Sequence, residues 1–532
     1  MNYMIDLNII FDYYNKERRE LFPDSVDVID MISNNKDFNA YIASSSIDNI
    51  AFTKAQELKR TYGFASKIVL NGFIKDLVSK FKIAKTPSYI EIDYEDIEDS
   101  QIIASVKAIN AKVITRDKGM LEKYSNIAIS PKEFLSNIDK TQKTIDFANL
   151  KKQYFMYQPE LEREIDKVLN NSAYIMGDAV KKLEENLSEF TGAKHAITCS
   201  SGTDALLLAM MAIDIKPGDE IITTPFTFIA TAETIAFLGA KPVFADIDEK
   251  TYNIDPSKIE EKITPNTKAI IPVSLYGQPA DMDAIQEIVD KEEGRRKKVE
   301  EEKNIKKSPS SFSLHPSPSK IYIIIDGAQS FGATYKGKSD SNLGDISTTS
   351  FFPAKPLGCF GDGGAVFTND DVLAEKIKSL RVHGQSKRYH HKYIGMGGRM
   401  DTLQCAVVNV KLKYYAEDLK KRQEVAKKYT DQLITRHSSL VTPIVENNRT
   451  SAWAQYSVRV KNRDKVQVKL KEAGIPTAVH YPMPLHLQEA FAYLDYKKGD
   501  FPISERVSDE IMSLPMNPYL SDDEIKYIAK VI

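Results

Sequence analysis

Ser350-Phe-Phe-Pro-Ala-Lys-Pro-Leu-Gly358 closes a β-like stretch, Ile346 to Phe352, with a lysine between two prolines, and the glycine-rich run Gly358-Cys-Phe-Gly-Asp-Gly-Gly364 continues it. Lys355 therefore stands just past a strand, where a lysine is ordinarily a solvated charge. Upstream, Ile323-Ile-Ile-Asp326 carries an acid to the end of a short apolar run, and Ser200-Ser-Gly-Thr-Asp204 joins the run Ala196 to Ser200 to the helical pattern Thr203 to Ile213. Further runs at Glu220 to Thr224, Pro242 to Ala245, Ala269 to Leu275 and Ile321 to Ile325 are separated by helix-like segments such as Thr231 to Leu238. Runs of this kind suit strands buried on both faces of a mostly parallel sheet. Open α/β sheets bind ligands outside the carboxyl ends of their strands, so the three motifs are expected along one edge.

Read for chemistry, the motifs supply what a pyridoxal-phosphate (PLP) site needs: an amine, an acid for the pyridine nitrogen, an anion cradle and a flat group for the ring. Lys355 is the amine and Asp326 the acid. The free N–H groups at a helix start after Ser200-Ser-Gly-Thr-Asp204 favour phosphate, and Phe226-Thr-Phe228 after another strand supplies an aromatic for stacking. Each has a plainer reading taken alone: a solvated lysine, a capping acid, an ordinary helix start, a core aromatic. Their order on successive strands of one sheet is what favours the chemical reading.

On Ser201-Gly-Thr-Asp-Ala-Leu206, Asp326-Gly-Ala-Gln-Ser330 and Ser350 to Gly358, residues 145–532 resemble the DegT-type sugar aminotransferases of PLP fold type I. The resemblance implies a large α/β domain with a mostly parallel sheet, 145–417, a smaller C-terminal α+β subdomain, 418–532, and a homodimer at least. It also implies that Lys355 bonds the cofactor, Asp326 meets the pyridine nitrogen, Gln329 sits by the ring hydroxyl, Phe228 stacks on the ring, and Gly202, Thr203 and Ser350 hold the phosphate. Members with histidine in place of this lysine act as dehydratases. Lysine selects transamination from glutamate to a nucleotide-linked keto sugar, with Lys355 moving the proton.

Val382-His-Gly-Gln-Ser-Lys-Arg-Tyr-His-His391 and Ile394-Gly-Met-Gly-Gly-Arg-Met-Asp-Thr-Leu-Gln404 look most like enzymes that aminate UDP-2-acetamido-2-deoxy-3-oxo-glucuronate for surface polysaccharide. Many relatives have asparagine where this chain has Gly397; the glycine form is associated with the uronate subgroup. A uronate also suits Arg399, whose guanidinium grips a carboxylate through parallel hydrogen bonds; the alternative is an ion pair with Asp401. His480, Tyr481 and His486, in Ala478-Val-His-Tyr-Pro-Met-Pro-Leu-His486, resemble the substrate-side segment of the family. A 4-keto hexose nucleotide is the alternative acceptor.

Residues 1–140 carry a second alternating pattern, with Met4 to Ile10, Asn39 to Ser44, Lys67 to Asn71, Tyr89 to Asp93 and Lys112 to Thr115 read as strands of a small α/β domain. Asp6, Asp99 and Asp117 fall at strand or helix ends, and carboxylates converging there would bind Mg²⁺ or Mn²⁺. The pattern resembles PIN domains, an α/β/α fold of ribonucleases, with Asp48 standing for the remaining acidic position. That resemblance implies RNA as a partner, and leaves open an RNA-directed regulator in which the PLP domain is a dimeric scaffold.

The chain has 532 residues, a formal net charge of -2 and 27% charged residues, so no global field draws it to nucleic acid or membrane. Cys199, Cys359 and Cys405 stand far apart, against a disulfide framework and in favour of a reducing cytoplasm. No signal peptide or membrane-spanning run is expected. Asp290 to Lys320, rich in charge, serine and proline, is expected as a structureless insertion.

Overall fold

The computed structural model describes residues 2–34, 39–44, 46–62, 67–84, 97–137, 145–305, 320–437 and 440–532. They divide into two compact units, Met1–Thr144 and Ile145–Ile532.

Among the described residues of the first unit there are five strands, β1 (Asn2–Ile5), β2 (Asn39–Ala43), β3 (Lys82–Ala84), β4 (Lys112–Ile114) and β5 (Ala128–Ile129). They lie in the order β3-β2-β1-β4-β5 with every pairing parallel. Met4, Val113, Ile103 and Val106 fill the core. Two expected strands are corrected. The first ends at Ile5, and Leu7–Tyr14 is a helix; Lys67–Lys80 is a helix throughout, so Lys67 to Asn71 is no strand. Short apolar runs rich in β-branched residues do not separate strand from helix by periodicity alone, and here length decides. The expected strand Tyr89 to Asp93 lies outside the described residues.

In the second unit, β6 (His195–Cys199), β7 (Glu220–Thr223), β8 (Lys241–Phe244), β9 (Thr267–Ile270) and β10 (Tyr322–Asp326) precede a small hairpin, β11 (Thr334–Tyr335) and β12 (Lys338–Ser339). Strands β13 (Ile346–Ser350) and β14 (Gly364–Thr368) complete a seven-stranded sheet ordered β6-β14-β13-β10-β9-β7-β8. Its pairings are parallel from β13 through β8, and β14 runs against both its neighbours. Every residue of β13 and β14 is buried, as strands covered on both faces require.

The helix Met282–Ile305 corrects the expectation for the insertion. Its charged sequence is held by Arg296, buried, which donates to Glu292 at 2.9 Å and to the carbonyls of Thr267 and Thr264 at 3.1 and 2.8 Å. A low apolar content predicts no core contact there; one buried guanidinium supplies it. Residues 306–319 lie outside the description.

A hairpin, β15 (Gln385–Lys387) with β16 (His390–His391), precedes the helix Thr402–Arg436, which is about 52 Å long at 1.5 Å per residue and runs through the expected 417/418 division. It reaches a smaller layer in which β17 (Tyr456–Arg459) pairs antiparallel with β18 (Ile511–Leu514), packed on Tyr429, Trp453, Leu470 and Ile525. No helix among the described residues is long and apolar enough to cross a membrane.

Candidate active site

Asp326 ends β10, between β9 and β13, and is 5% exposed. Its carboxylate is fixed at both oxygens. Oδ2 accepts from the Thr231 hydroxyl at 2.7 Å and Oδ1 from the Ala328 N–H at 3.2 Å. Thr231 is itself within 3.1 Å of the Thr227 hydroxyl, so a short relay from the helix Ala230–Phe237 ends on the acid. Burial raises the Asp326 pKa, opposed by these donors and by the charge of Lys355. Lys355 shows the converse, its amine lowered by burial and supported by Asp326. Amine and acid are thus near enough for each to act on the other's charge.

Lys355 is carried on a loop folded back on itself. Its N–H donates to Phe352 O at 2.8 Å, and Cys359 N–H to Phe351 O at 2.7 Å. Gly358 permits the closure, because a Cβ there would lie 2.5 Å from Pro353 O and 2.7 Å from Phe352 O. The loop is pinned to the helix Thr402–Arg436 by Lys411, buried, whose ammonium donates to Gly358 O at 2.7 Å, and by Gln404, whose Oε1 accepts from Phe360 N–H at 2.8 Å.

The anion cradle forms where β6 gives way to the helix Gly202–Ala212. Ser201 caps this helix, accepting from Asp204 N–H at 3.0 Å. A Cβ on Gly202 would stand 2.7 Å from Ser350 Cβ, so glycine lets the end of β13 come against the helix start. Gly202, Thr203 and Ser350 are therefore brought together at free N–H groups and the positive end of a helix dipole, a setting made for a phosphate.

Gln329, 5% exposed, accepts from Tyr276 N–H at 2.7 Å through Oε1 and donates from Nε2 to the Tyr481 hydroxyl at 3.1 Å. Tyr276 adopts a left-handed backbone, φ 57°, and its hydroxyl donates to the His480 carbonyl. The ring of Phe228 is half-exposed, 6.0 Å from that of Tyr481. Tyr481 feels the charge of Asp326 and His480 that of Lys355, and the Gln329 bond ties the segment to the turn after Asp326. Burial, and then Lys355, push the His480 imidazole down to about 4, leaving it neutral at ordinary pH.

Two expected substrate contacts separate here. Arg399 is partly exposed and makes no hydrogen bond or ion pair among the described residues, not even with Asp401. The preceding Gly398 accepts from Ser200 N–H at 3.0 Å, which sets Arg399 beside the cradle. His486 is instead 2% exposed, 3.0 Å from Glu505 and packed on Phe501. Sequence reasoning missed Thr231, Tyr276 and Lys411; nothing in their local sequence marks them.

The metal reading of the first unit gains no support. Asp6 is buried and accepts from the Thr115 hydroxyl at 2.7 Å, while Asp117 caps the helix Lys118–Lys123 through Met120 N–H at 2.6 Å. Asp99 lies on the helix Ile97–Ala108, and the side chain of Asp48 lies outside the described residues. Among the described residues no group of three or more His, Cys, Asp or Glu side chains forms a metal cluster.

A buried strand-end acid, an amine that feels its charge, and a glycine-opened helix start beside a serine hydroxyl fit PLP. Residues 157–293 and 317–532 match the family model of the DegT/DnrJ/EryC1/StrS aminotransferases. The chain is 47% identical over 388 residues to the UDP-2-acetamido-2-deoxy-3-oxo-D-glucuronate aminotransferase of Pseudomonas aeruginosa, covering 73% of this chain and 99% of that one. It is 38% identical to the dTDP-3-amino-3,6-dideoxy-alpha-D-galactopyranose transaminase of Aneurinibacillus thermoaerophilus, covering 73% and 98%. The crystal structure of S. venezuelae DesV with a ketimine intermediate superposes with a TM-score of 0.66 at 32% identity, covering 73% and 97%. With this fold, this site and these relatives, the chain belongs to the DegT/DnrJ/EryC1/StrS family and is a PLP-dependent sugar aminotransferase.

Proposed function

We propose that residues 145–532 transfer the amino group of glutamate to UDP-2-acetamido-2-deoxy-3-oxo-glucuronate, in the making of a surface polysaccharide. The observation that carries this reading is Arg399: a partly exposed guanidinium with no partner among the described residues, next to the cradle. An unspent planar cation in that place is suited to a substrate carboxylate, which a uronate has and a neutral hexose lacks. The 47% identity to the P. aeruginosa enzyme supports the same acceptor.

PLP, when bound, withdraws electrons from the carbon that carries the transferred nitrogen. The residues of this chain serve that step. Asp326, fixed by Thr231 and Ala328, keeps negative charge at the place of the pyridine nitrogen. Gly202, Thr203 and Ser350 hold the phosphate, and Phe228 and Gln329 orient the ring. Lys355, its pKa lowered by burial, is the base that moves a proton at the substrate carbon. His480, neutral, adds no competing cation.

The reading includes a homodimer. Tyr174, Ile175, Met176, Phe352 and Phe360 are exposed large apolar side chains, and all but Met176 are tied to the lysine loop or to the start of the helix behind it. A second copy covering them would complete the site wall. Amination assays with glutamate and purified UDP-3-keto-uronate or dTDP-4-keto hexose test the acceptor; turnover of the hexose alone overturns it.

A second reading concerns the first unit. Its order β3-β2-β1-β4-β5 reverses between β1 and β4, and Asp6 and Asp117 follow those two strands, the place where open parallel sheets take ligands. The reading that rests on this edge is a PIN-like fold with Mg²⁺- or Mn²⁺-dependent RNA cleavage, although the described carboxylates form no metal cluster. RNA cleavage by the full chain with Mn²⁺, abolished in Asp99→Ala, tests it; equal cleavage with and without metal overturns it.

A further inference from the structure

Asp340 opens the 3-10 turn Asp340–Asn342 between β12 and β13 and is 1% exposed. Its Oδ2 accepts from the Ser330 hydroxyl, and its N–H donates to Ala333 O at 3.0 Å. The Ser274 hydroxyl faces the same carboxyl, yet neither Ser274 Oγ nor Asp340 Oδ1 makes a well-formed hydrogen bond. Ser274 is also the residue whose N–H donates to the Asp326 carbonyl at 3.0 Å. Gly327, next to Asp326 in the chain, lies against this carboxyl: a Cβ there would lie 3.5 Å from Asp340 Oδ2, 3.1 Å from Ser330 Oγ and 2.7 Å from Thr348 O. A second carboxyl thus lies enclosed directly behind the Asp326-Gly327 peptide, unused by the chemistry above.

We propose that Asp340 is a positioning residue for Asp326: a buried carboxyl that anchors the Asp326–Ser330 turn through Ser330 and is coupled by charge to the cofactor-facing acid. The proposal rests on Asp326 being that acid.

Two carboxylates enclosed together do not both ionise at low cost. Asp326 has Thr231, the Ala328 N–H and the Lys355 charge to support ionisation. Asp340 has two hydroxyls and no cation, and burial, reinforced by the Asp326 charge, pushes it up to about 6. Negative charge therefore settles on Asp326, and Asp340 keeps its proton until the pH passes that value. The groups facing Asp340 are Asp326 at the end of β10, Ser330 in the turn after it, and Ser274 after β9. Strands β13 and β14 and the helix Asp178–Thr191, which also pack on the turn, add no charge that it feels. Lys355 and Tyr481 feel the charge of Asp326.

The test compares wild type with Asp340→Asn, which keeps an acceptor for Ser330 but cannot ionise. In cofactor-free protein, denaturant unfolding is followed from pH 4 to pH 8. A carboxyl whose folded pKa is raised contributes stability below its unfolded pKa and loses it as pH rises through the folded one. The wild-type folded-to-unfolded ratio, relative to the variant, is expected to fall about 100-fold over that range. In PLP-loaded protein, the pH midpoint of the visible absorbance band is expected to be lower in the variant, because the charge behind Asp326 is gone. Anchoring alone would leave both readouts unmoved, and coincident profiles in both overturn the proposal. Should Asp340→Asn fail to fold, Ser330→Ala removes a donor that stabilises ionised Asp340, and must move the fall in stability to higher pH; an unmoved profile overturns the proposal. A wild type that binds PLP without a visible band would count against the cofactor-site reading, and the cofactor-free profile would still decide on Asp340.

Discussion

Replacing Thr231 with valine removes one hydroxyl and almost no volume, at a residue that is fully buried and gives its proton to Asp326 Oδ2 at 2.7 Å. Hydrogen bonds to charged groups contribute roughly 1.5–3 kcal/mol, against about 1 kcal/mol for neutral pairs. The loss should therefore depend on the charge of Asp326. Burial raises the folded pKa of this acid and the Thr231 bond lowers it, so the variant moves it further up. The sign follows: the penalty is small where Asp326 is protonated and grows as pH rises through its folded pKa. Urea unfolding of cofactor-free wild type and Thr231→Val at pH 4 and pH 8 measures it directly. We expect a loss of about 2 kcal/mol at pH 8 and about half of that or less at pH 4. An equal penalty at both pH values, or a larger one at pH 4, would refute the claim that Thr231 supports a charged Asp326.

Gly202→Ala drives a Cβ to 2.7 Å from Ser350 Cβ, and overpacking of this kind costs typically 1–3 kcal/mol. PLP affinity, followed by fluorescence quenching, should fall by about 10-fold or more while the fold persists. Arg399→Lys keeps a charge but loses the paired geometry; KM for the 3-keto uronate should rise by roughly 10-fold with PLP affinity unchanged. The His480 imidazole, held down to about 4 by burial, should titrate by NMR with a midpoint near that value. Because its folded pKa is depressed, its share of stability is present above the unfolded pKa and is lost as pH falls toward 4. A midpoint near the ordinary histidine value would show that the ring is solvated.

Much of the second unit can be read from its residues, because its strands are short apolar runs buried on both faces and its ligand groups follow those strands. β10 and β13 fall where Ile323 to Asp326 and Ile346 to Phe352 predict them. What the pattern misses is set by tertiary approach. Thr231 meets Asp326 across 95 positions, and Tyr276 meets Gln329 across 53; no local spacing encodes either. His486 has the right neighbours in sequence, but its ring turns toward Glu505 and Phe501. In the first unit the errors are of another kind. Leu7 to Ile10 and Lys67 to Asn71 are apolar and β-branched, yet both continue into longer helical patterns. The charged stretch after Asp290 stays helical because Arg296 finds two carbonyls to bind, a gain that average composition does not register.

Lys355 gives the most direct test of the account. The full-length protein, loaded with PLP and reduced with borohydride, would be digested and its peptides mapped by mass spectrometry. The account predicts one pyridoxyl group on the peptide that carries Lys355, and none after Lys355→Ala. Labelling of another lysine, Lys411 included, or unchanged labelling in Lys355→Ala, would contradict it.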